Sequence, residues 1–313
     1  MQAKVDHEFF IRQAFLQAEK GRGQVSPNPL VGAIIVKDGI ILARGYHHKF
    51  QGIHGEVDAI NKALKKHGHK KLKGASLYVN LEPCAHYGSN PPCTDIISSY
   101  NFKQVIFSNL DPNPLVNGKG KRALRKFNIN VIDKILESEG KELNKVYFKS
   151  ITQKMPFIYL KTALSLDGKI THPNNKYISS KPALQYVHEL RSQVDAILVG
   201  YNTNVIDKPK LTCHIKGKRN PKKLILPKNK IDLVKYLHDL YMKGICSILV
   251  EGGSQVITSF LEQQLADKVI LIYTPEIFGK QQLNYCQKLS KVVKLQQIQT
   301  KILGKNIIIE GYA

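Results

Sequence analysis

"YVNLEPCAHYGSNPPCTDI", residues 78–96, sets two cysteines, a histidine, a glutamate and three prolines between two apolar stretches. The chain has only five cysteines, Cys84, Cys93, Cys213, Cys246 and Cys286, and two of them stand in this segment, each directly after a proline. An odd, scattered set argues against a disulfide framework. The segment is therefore either a rigid loop with cysteine as a small buried filler, or a loop that holds a metal.

Upstream, His54-Gly55-Glu56 opens "HGEVDAINKALKKHG", in which Val57, Ile60 and Leu64 share one helical face. His54, Cys84 and Cys93 together offer one imidazole and two thiolates. Three protein ligands are what a catalytic zinc takes when its fourth position stays open to water. A helix starting at Cys93, on "CTDIISSY", would favour a thiolate through its free N–H groups. Zinc would bring the pKa of its water toward neutrality. Glu56, two residues from His54, could then collect that proton and deliver it to a leaving amine.

H-x-E, then Pro-Cys and a second cysteine, is the pattern of zinc deaminases, with the glutamate as acid and base rather than ligand. An isolated H-x-E is often accidental. The joint appearance of all these elements in an α/β setting weakens the alternative of a loop histidine and two core cysteines. Nucleobase deaminases space the cysteines two residues apart, whereas eight residues, "AHYGSNPP", intervene here.

The setting is an α/β one. "HEFFIRQAFLQAEKG" has helical spacing, and "VGAIIVKDGIILARG" is two apolar runs around Asp38-Gly39, a hairpin signal. "ASLYVN", "KQVIFSN" and "INVID" are short buried strands, which gives a compact α/β domain over about 1–146. "ITQKMP" breaks the periodicity, and a second domain over 154–313 follows. It combines strand-like "PFIYLKTAL", "DAILVG", "SILVE" and "DKVILIY" with helical "KPALQYVHELRS", "IDLVKYLHDLYMKG" and "SQVITSFLEQQ".

At 313 residues with 42% hydrophobic content the chain suits two globular domains. No run is long and apolar enough for a membrane span, and "MQAKVDHEFFIRQAF" lacks the apolar core of a signal peptide, so the expected location is the cytoplasm. The net charge of +23 is spread along the chain, as in "KKHGHKKLK" and "KGKRNPKK", without aromatic interleaving. It describes a solvated lysine-rich surface better than a nucleic-acid groove, and it would also attract phosphorylated small molecules.

"SPNPLVGAIIV", "GYHHKFQGIHGEVDAI" and "LEPCAHYG" leading to "PPCT" closely resemble the deaminase half of the bifunctional riboflavin biosynthesis enzymes. "LKTALSLDGKI" and "SILVEGGS" look like their reductase half, so the resemblance spans almost the whole chain. It implies a cytidine-deaminase-like three-layer domain followed by a dihydrofolate-reductase-like domain. The implied chemistry is zinc-dependent deamination of 2,5-diamino-6-(5-phosphoribosylamino)pyrimidin-4-one, then NADPH-dependent reduction of the ribosyl group to ribityl. The implied partner is a phosphorylated pyrimidine, and the implied assembly is a homo-oligomer without membrane or nucleic acid.

By this resemblance His54, Cys84 and Cys93 are the zinc ligands, Glu56 is the proton shuttle, and Asn28, His47 and His86 surround the deaminase pocket. Ala163, Tyr177, Thr203, Asp207 and the turn Gly253, Ser254, Gln255 and Val256 fall on cofactor positions. Asn175, Arg191, Leu211, His214 and Glu251 fall on substrate positions, with Arg191 as the natural bidentate partner of a phosphate. Gly252-Gly253 between a strand and a helix is a phosphate-binding signal, but an ordinary structural turn has the same form. Asp207 as a helix cap and Glu251 as a strand-end charge stay open as structural readings.

Departures from the family pattern are visible. Gly55 replaces the usual alanine, which would free the backbone at the helix start. Ser89 and Asn90 replace a basic residue and a threonine, and His214 replaces a second arginine. Only "KGKRNPKKLILPKNK" separates "LTCH" from "IDLVKYLHDLYMKG", so the reductase half is shortened and "KKLIL" stands for a longer stretch of sheet. Two other readings follow: a deaminase with a merely structural second half, or a deaminase drawn to nucleic acid by its basic surface.

Overall fold

The computed structural model describes residues 6–88, 90–172, 174, 178–280 and 282–313. Contacts divide the chain into two units, Met1–Gln153 and Lys154–Ala313. The first unit opens with α1 (His7–Ala18), where the Asp6 carboxylate accepts the Phe9 N–H at 2.9 Å, satisfying one of the orphan donors of the helix start. Strands β1 (Gly32–Lys37) and β2 (Ile40–Tyr46) form the expected hairpin. Asp38 and Gly39 both have positive φ, 51° and 77°, as a two-residue turn between twisted strands requires.

The unit continues with α2 (Gly55–His67), α3 (His69–Leu72), β3 (Ser76–Leu81), α4 (Cys93–Ser98), β4 (Gln104–Asn109), α5 (Lys119–Lys126), β5 (Asn130–Ile132), α6 (Glu137–Leu143) and α7 (Lys145–Gln153). The sheet order is β2-β1-β3-β4-β5. β1 is antiparallel to both neighbours, and β3, β4 and β5 are parallel. Alternate residues separate into two cores, as the strand period of two demands. Ala33, Ile35, Leu77, Val79, Val105 and Phe107 pack with Ala59, Ile60 and Ala63 of α2. Ile34, Val36, Tyr78 and Ile106 pack with Phe10, Ile11 and Ala14 of α1. Helices cover both faces, so the unit has three layers.

One helical face differs from its sequence reading. Ile60 is buried as expected, but Val57 and Leu64 are only partly so. The buried stripe of α2 runs through Glu56, Ala59, Ile60 and Ala63 instead. A glutamate on the inner face hides this stripe from a hydrophobic pattern.

In the second unit β6 (Phe157–Leu164), α8 (Lys181–Gln193), β7 (Ala196–Gly200), α9 (Tyr201–Asp207), β8 (Lys222–Leu226), α10 (Leu233–Met242), β9 (Ser247–Val250), α11 (Ser254–Glu262), β10 (Lys268–Tyr273), β11 (Gln296–Leu303) and β12 (Asn306–Tyr312) follow in order. The sheet order is β11-β12-β10-β6-β9-β7-β8. Strands β10, β6, β9, β7 and β8 are parallel, and β12 is antiparallel to β10 and β11. The short "KKLIL" segment is β8, paired along β7 from Lys222 with Ala196 to Leu226 with Gly200. It closes one edge of a seven-stranded sheet.

Candidate active sites

In the first unit three elements converge. His54 caps α2, Cys93 is the first residue of α4, and Cys84 lies in the loop after β3. The His54 Nδ1 atom is 3.2 Å from Cys93 Sγ and 3.6 Å from Cys84 Sγ. A tetrahedral zinc with ordinary Zn–S and Zn–N lengths separates such ligand atoms by about 3.6 Å, so the residues fit the ion. Among the described residues this is the one group of three His, Cys, Asp or Glu side chains with metal-ligand spacing.

The Cys93 N–H donates to Cys84 Sγ at 3.3 Å, so the helix-start N–H stabilises the sulfur of Cys84 and not that of Cys93 itself. The Cys84 thiol is pushed down to about 4, first by its hydrogen bond with Cys93 and then by His54. The Cys93 thiol is pushed up, first by the same bond and then by burial. His54 is raised, chiefly by Cys84.

Glu56 sits in the first turn of α2 and is only 3% exposed. Burial pushes its carboxyl up to about 7, against the pull of His54. Among the described residues its buried Oε2 atom has no hydrogen-bond partner. A buried, unsatisfied carboxylate oxygen costs stability, and a raised carboxyl pKa beside possible metal ligands marks a candidate functional group.

Asn28 and His47 join this site. The His47 Nδ1–H donates to the Ile53 carbonyl at 2.8 Å, which leaves Nε2 to accept from Asn28 Nδ2 at 3.1 Å. The His47 ring stands edge-on to His54, with centroids 5.6 Å apart, and burial lowers its pKa. Asn28 spends one of its two amide N–H groups on His47. His86 is half-buried, with Nδ1 buried and unpartnered. Asn90 donates to the Gly52 carbonyl at 3.0 Å, while Ser89 lies outside the described residues.

Three supporting residues escaped the sequence reading. The buried Glu82 carboxylate accepts the N–H groups of Asp111, Gly118 and Lys121 at 3.3, 2.8 and 2.8 Å. It thereby ties the strand end that leads into Pro83-Cys84 to the start of α5. A Cβ on Gly120 would lie 2.0 Å from the Pro83 carbonyl oxygen, so only glycine lets α5 approach the ligand loop. Asp111, which accepts from Tyr147 Oη at 2.9 Å, is raised to about 6, first by burial. The signal for Glu82 was its place directly before Pro-Cys. Gly55 also has a role different from the expected one: a Cβ there would lie 2.8 Å from the Val31 carbonyl oxygen, so it permits close packing.

In the second unit Arg191 of α8 and Glu251 at the end of β9 meet. Arg191 Nε and Nη2 donate to the two Glu251 oxygens at 2.9 and 2.8 Å, and Lys161 Nζ lies 3.4 Å from the same carboxylate. Burial would raise Glu251, but Lys161 and Arg191 overcome it and hold the carboxyl down at about 2. The bidentate fork expected to face a phosphate is thus engaged by Glu251. Leu211 is buried, with φ 55°, next to Thr212 and ahead of His214.

On the cofactor side, Gly253 caps α11 without a side-chain bond. The N–H groups of Ser254, Gln255 and Val256 have no carbonyl one turn earlier within the helix. A Cβ on Gly253 would lie 3.5 Å from Thr203 Oγ1, so α9 and α11 begin close together. Ala163 is on β6. Asp207 is the exposed last residue of α9, with no hydrogen bond joining it to the other candidates among the described residues. Asn175 and Tyr177 lie outside the described residues.

These features define a class: a zinc-dependent deaminase unit and an α/β reductase unit on one chain. The model of the cytidine and deoxycytidylate deaminase zinc-binding region matches residues 4–109, and the RibD C-terminal domain model matches 156–230 and 222–309. The two parts of the second match overlap at 222–230, the stretch that holds β8. The riboflavin biosynthesis protein RibD of Aquifex aeolicus is 36% identical, covering 87% of each chain. A crystal structure of a diaminohydroxyphosphoribosylaminopyrimidine deaminase/5-amino-6-(5-phosphoribosylamino)uracil reductase from Thermotoga maritima superimposes with TM-score 0.89 and 36% identity, over 98% of both chains. RibD of Acinetobacter baumannii superimposes with TM-score 0.90 and 28% identity, also over 98% of both. The chain belongs to the RibD family of riboflavin biosynthesis enzymes. Its fold is a cytidine-deaminase-like domain followed by a dihydrofolate-reductase-like one, its cofactors are zinc and NADPH, and the reading of the second half as merely structural finds no support.

Proposed function

We propose that the chain converts 2,5-diamino-6-(5-phosphoribosylamino)pyrimidin-4-one to the aminouracil and ammonia in its first unit. The second unit then reduces the ribosyl group to ribityl with NADPH. The observation that carries the first step is the buried, unpartnered Glu56 Oε2 beside His54, Cys84 and Cys93. Zinc, when bound, supplies a Lewis acid that makes water nucleophilic near neutral pH. Glu56 would take the proton that the attacking water loses as its oxygen bonds the ring carbon, and would deliver it to the amine as the C–N bond breaks and ammonia leaves. Its raised pKa suits it to do both. His47, locked in one tautomer, orients Asn28 toward the pyrimidine edge.

For the second step the protein supplies position and charge, while the nicotinamide supplies the hydride. The first turn of α11 and Thr203 would hold cofactor phosphate, and the α8 face around Arg191 and Glu251 would hold substrate. Two further proposals concern the whole protein. No described helix is long and apolar enough to cross a membrane. The family resemblance supports a cytoplasmic location and a homo-oligomer, and light scattering on the purified protein reads the latter. The activity test follows ammonia release from the diaminopyrimidine and NADPH oxidation with the aminouracil as separate signals. The reading expects both. Ammonia without NADPH oxidation would remove the second step.

A further inference from the structure

The loop that carries Leu211 and His214 lies in the shortened part of the second unit. Among the described residues no helix or strand interrupts it between Asp207 and Lys222. Apolar burial anchors it at Leu211, which is 6% exposed and packs with Val194, Ile197, Val199 and Leu249. The Leu211 φ of 55° is uncommon outside glycine, and such a conformation persists only where surrounding contacts determine it.

Those contacts come from two sides. From α8, His188 Nδ1 and Arg191 Nη1 reach the Thr212 carbonyl at 3.3 and 3.4 Å, and the His188 ring stacks on His214 with centroids 4.6 Å apart. From the stretch that runs into β8, Asn220 Oδ1 accepts the Cys213 N–H at 2.9 Å, and Lys223 Nζ donates to the Pro209 carbonyl at 2.9 Å. Cys213 is buried, so losing Asn220 would leave a shielded donor unsatisfied.

The stretch that makes these bonds is itself fixed by one residue. Asp195 Oδ1 accepts from Arg219 at 2.7 Å, and the Asp195 carbonyl accepts the Lys222 N–H at 2.8 Å. Its Oδ2 accepts the Cys246 and Ser247 N–H groups, each at 3.0 Å. Asp195 thus ties residues 219–222 to the starts of β7 and β9. Between Arg219 and Lys223 every residue makes one of these bonds except Pro221, whose ring restricts the backbone.

We propose that Asn220 is a positioning residue of the reductase site. It heads a side-chain clasp that holds the 208–214 loop against α8 in place of further strand pairing. Strand pairing is made by main-chain groups and tolerates many residue types; the clasp depends on one amide oxygen at one position. Asn220 acts through Leu211 and His214, whose places it fixes opposite Arg191. Its role rests on reading the second unit as the reductase.

The test compares Asn220→Ala with Asn220→Asp, which keeps an oxygen for the Cys213 N–H, in the full-length, zinc-loaded protein. Hydrogen exchange on peptides covering 208–214, read by mass spectrometry, reports the clasp without any activity. Steady-state NADPH oxidation reports the site. Asn220→Ala should speed exchange at Cys213 and raise the Michaelis constant for the aminouracil about five- to tenfold. Turnover and the Michaelis constant for NADPH should stay within about twofold of wild type. Asn220→Asp should restore both readings. Unchanged exchange at Cys213 in Asn220→Ala would overturn the clasp. Faster exchange with an unchanged Michaelis constant for the aminouracil would overturn its service to the site. Turnover and the NADPH-dependent thermal shift falling together, without rescue by aspartate, would overturn positioning in favour of a general loss of fold. Wild type without NADPH oxidation would overturn the reductase reading on which the role rests, while exchange still reports the clasp.

Discussion

The two units place their chemistry in different kinds of groups. In the first, the candidate groups are side chains: one imidazole, two sulfurs and a carboxylate brought to two helix starts and one loop. In the second, the candidate groups are main-chain N–H donors of α11, a buried ion pair and two stacked imidazoles. Side-chain chemistry demands particular residue types at particular spacings and so marks the sequence. A main-chain cradle demands only a turn and a helix, which many sequences supply.

The comparison is broken most severely at the zinc. Cys84→Ser or Cys93→Ser should eliminate bound zinc, as read by elemental analysis, while the second unit keeps its NADPH-dependent thermal shift, because ligand binding stabilises the unit that binds it. Loss of that shift would show that the second unit depends on the metal site. Glu56→Gln should keep zinc and lose ammonia release by about a hundred- to ten-thousand-fold, because the amide carries no proton between water and amine. Near-normal release would take Glu56 out of the reaction.

Glu251 gives the second unit an acid signature. Its folded pKa of about 2 lies below the ordinary 4.5, so its stabilisation is complete above about pH 4.5 and disappears as pH falls toward 2. That shift corresponds to about 3 kcal/mol. Urea midpoints of the second unit should drop across this window in wild type and flatten in Glu251→Gln. Parallel pH curves would remove the ion pair as the cause. Smallest of the four, Glu82→Gln should weaken zinc retention against a chelator by about 10–100-fold, since it loosens the strand end that carries Cys84 into the site. Unchanged retention would leave Glu82 with no part in the metal site.

Much of the fold was legible where pattern and turn chemistry agree. The β1–β2 hairpin follows from Asp38-Gly39, and the parallel strands follow from unbroken apolar runs buried on both faces. The C-terminal β11–β12 hairpin was not legible. β11 is exposed along nearly its whole length and carries Gln, Thr and Lys at most positions, so it lacks the alternation that marks a half-buried strand. The zinc triad and Glu56 were legible because ligand chemistry restricts residue type. Glu82 and Gly120 were not, because their roles lie in contacts between residues about 38 positions apart, visible only once α5 packs on the ligand loop.

The central claim is that one chain carries two separable reactions, with the shortened second unit competent for its own. The most direct measurement is NADPH oxidation by the Glu56→Gln variant, supplied in turn with the diaminopyrimidine and with its deaminated product. Oxidation near the wild-type rate is expected with the deaminated product and almost none with the diaminopyrimidine. Oxidation with neither compound, while wild type still releases ammonia, would contradict it.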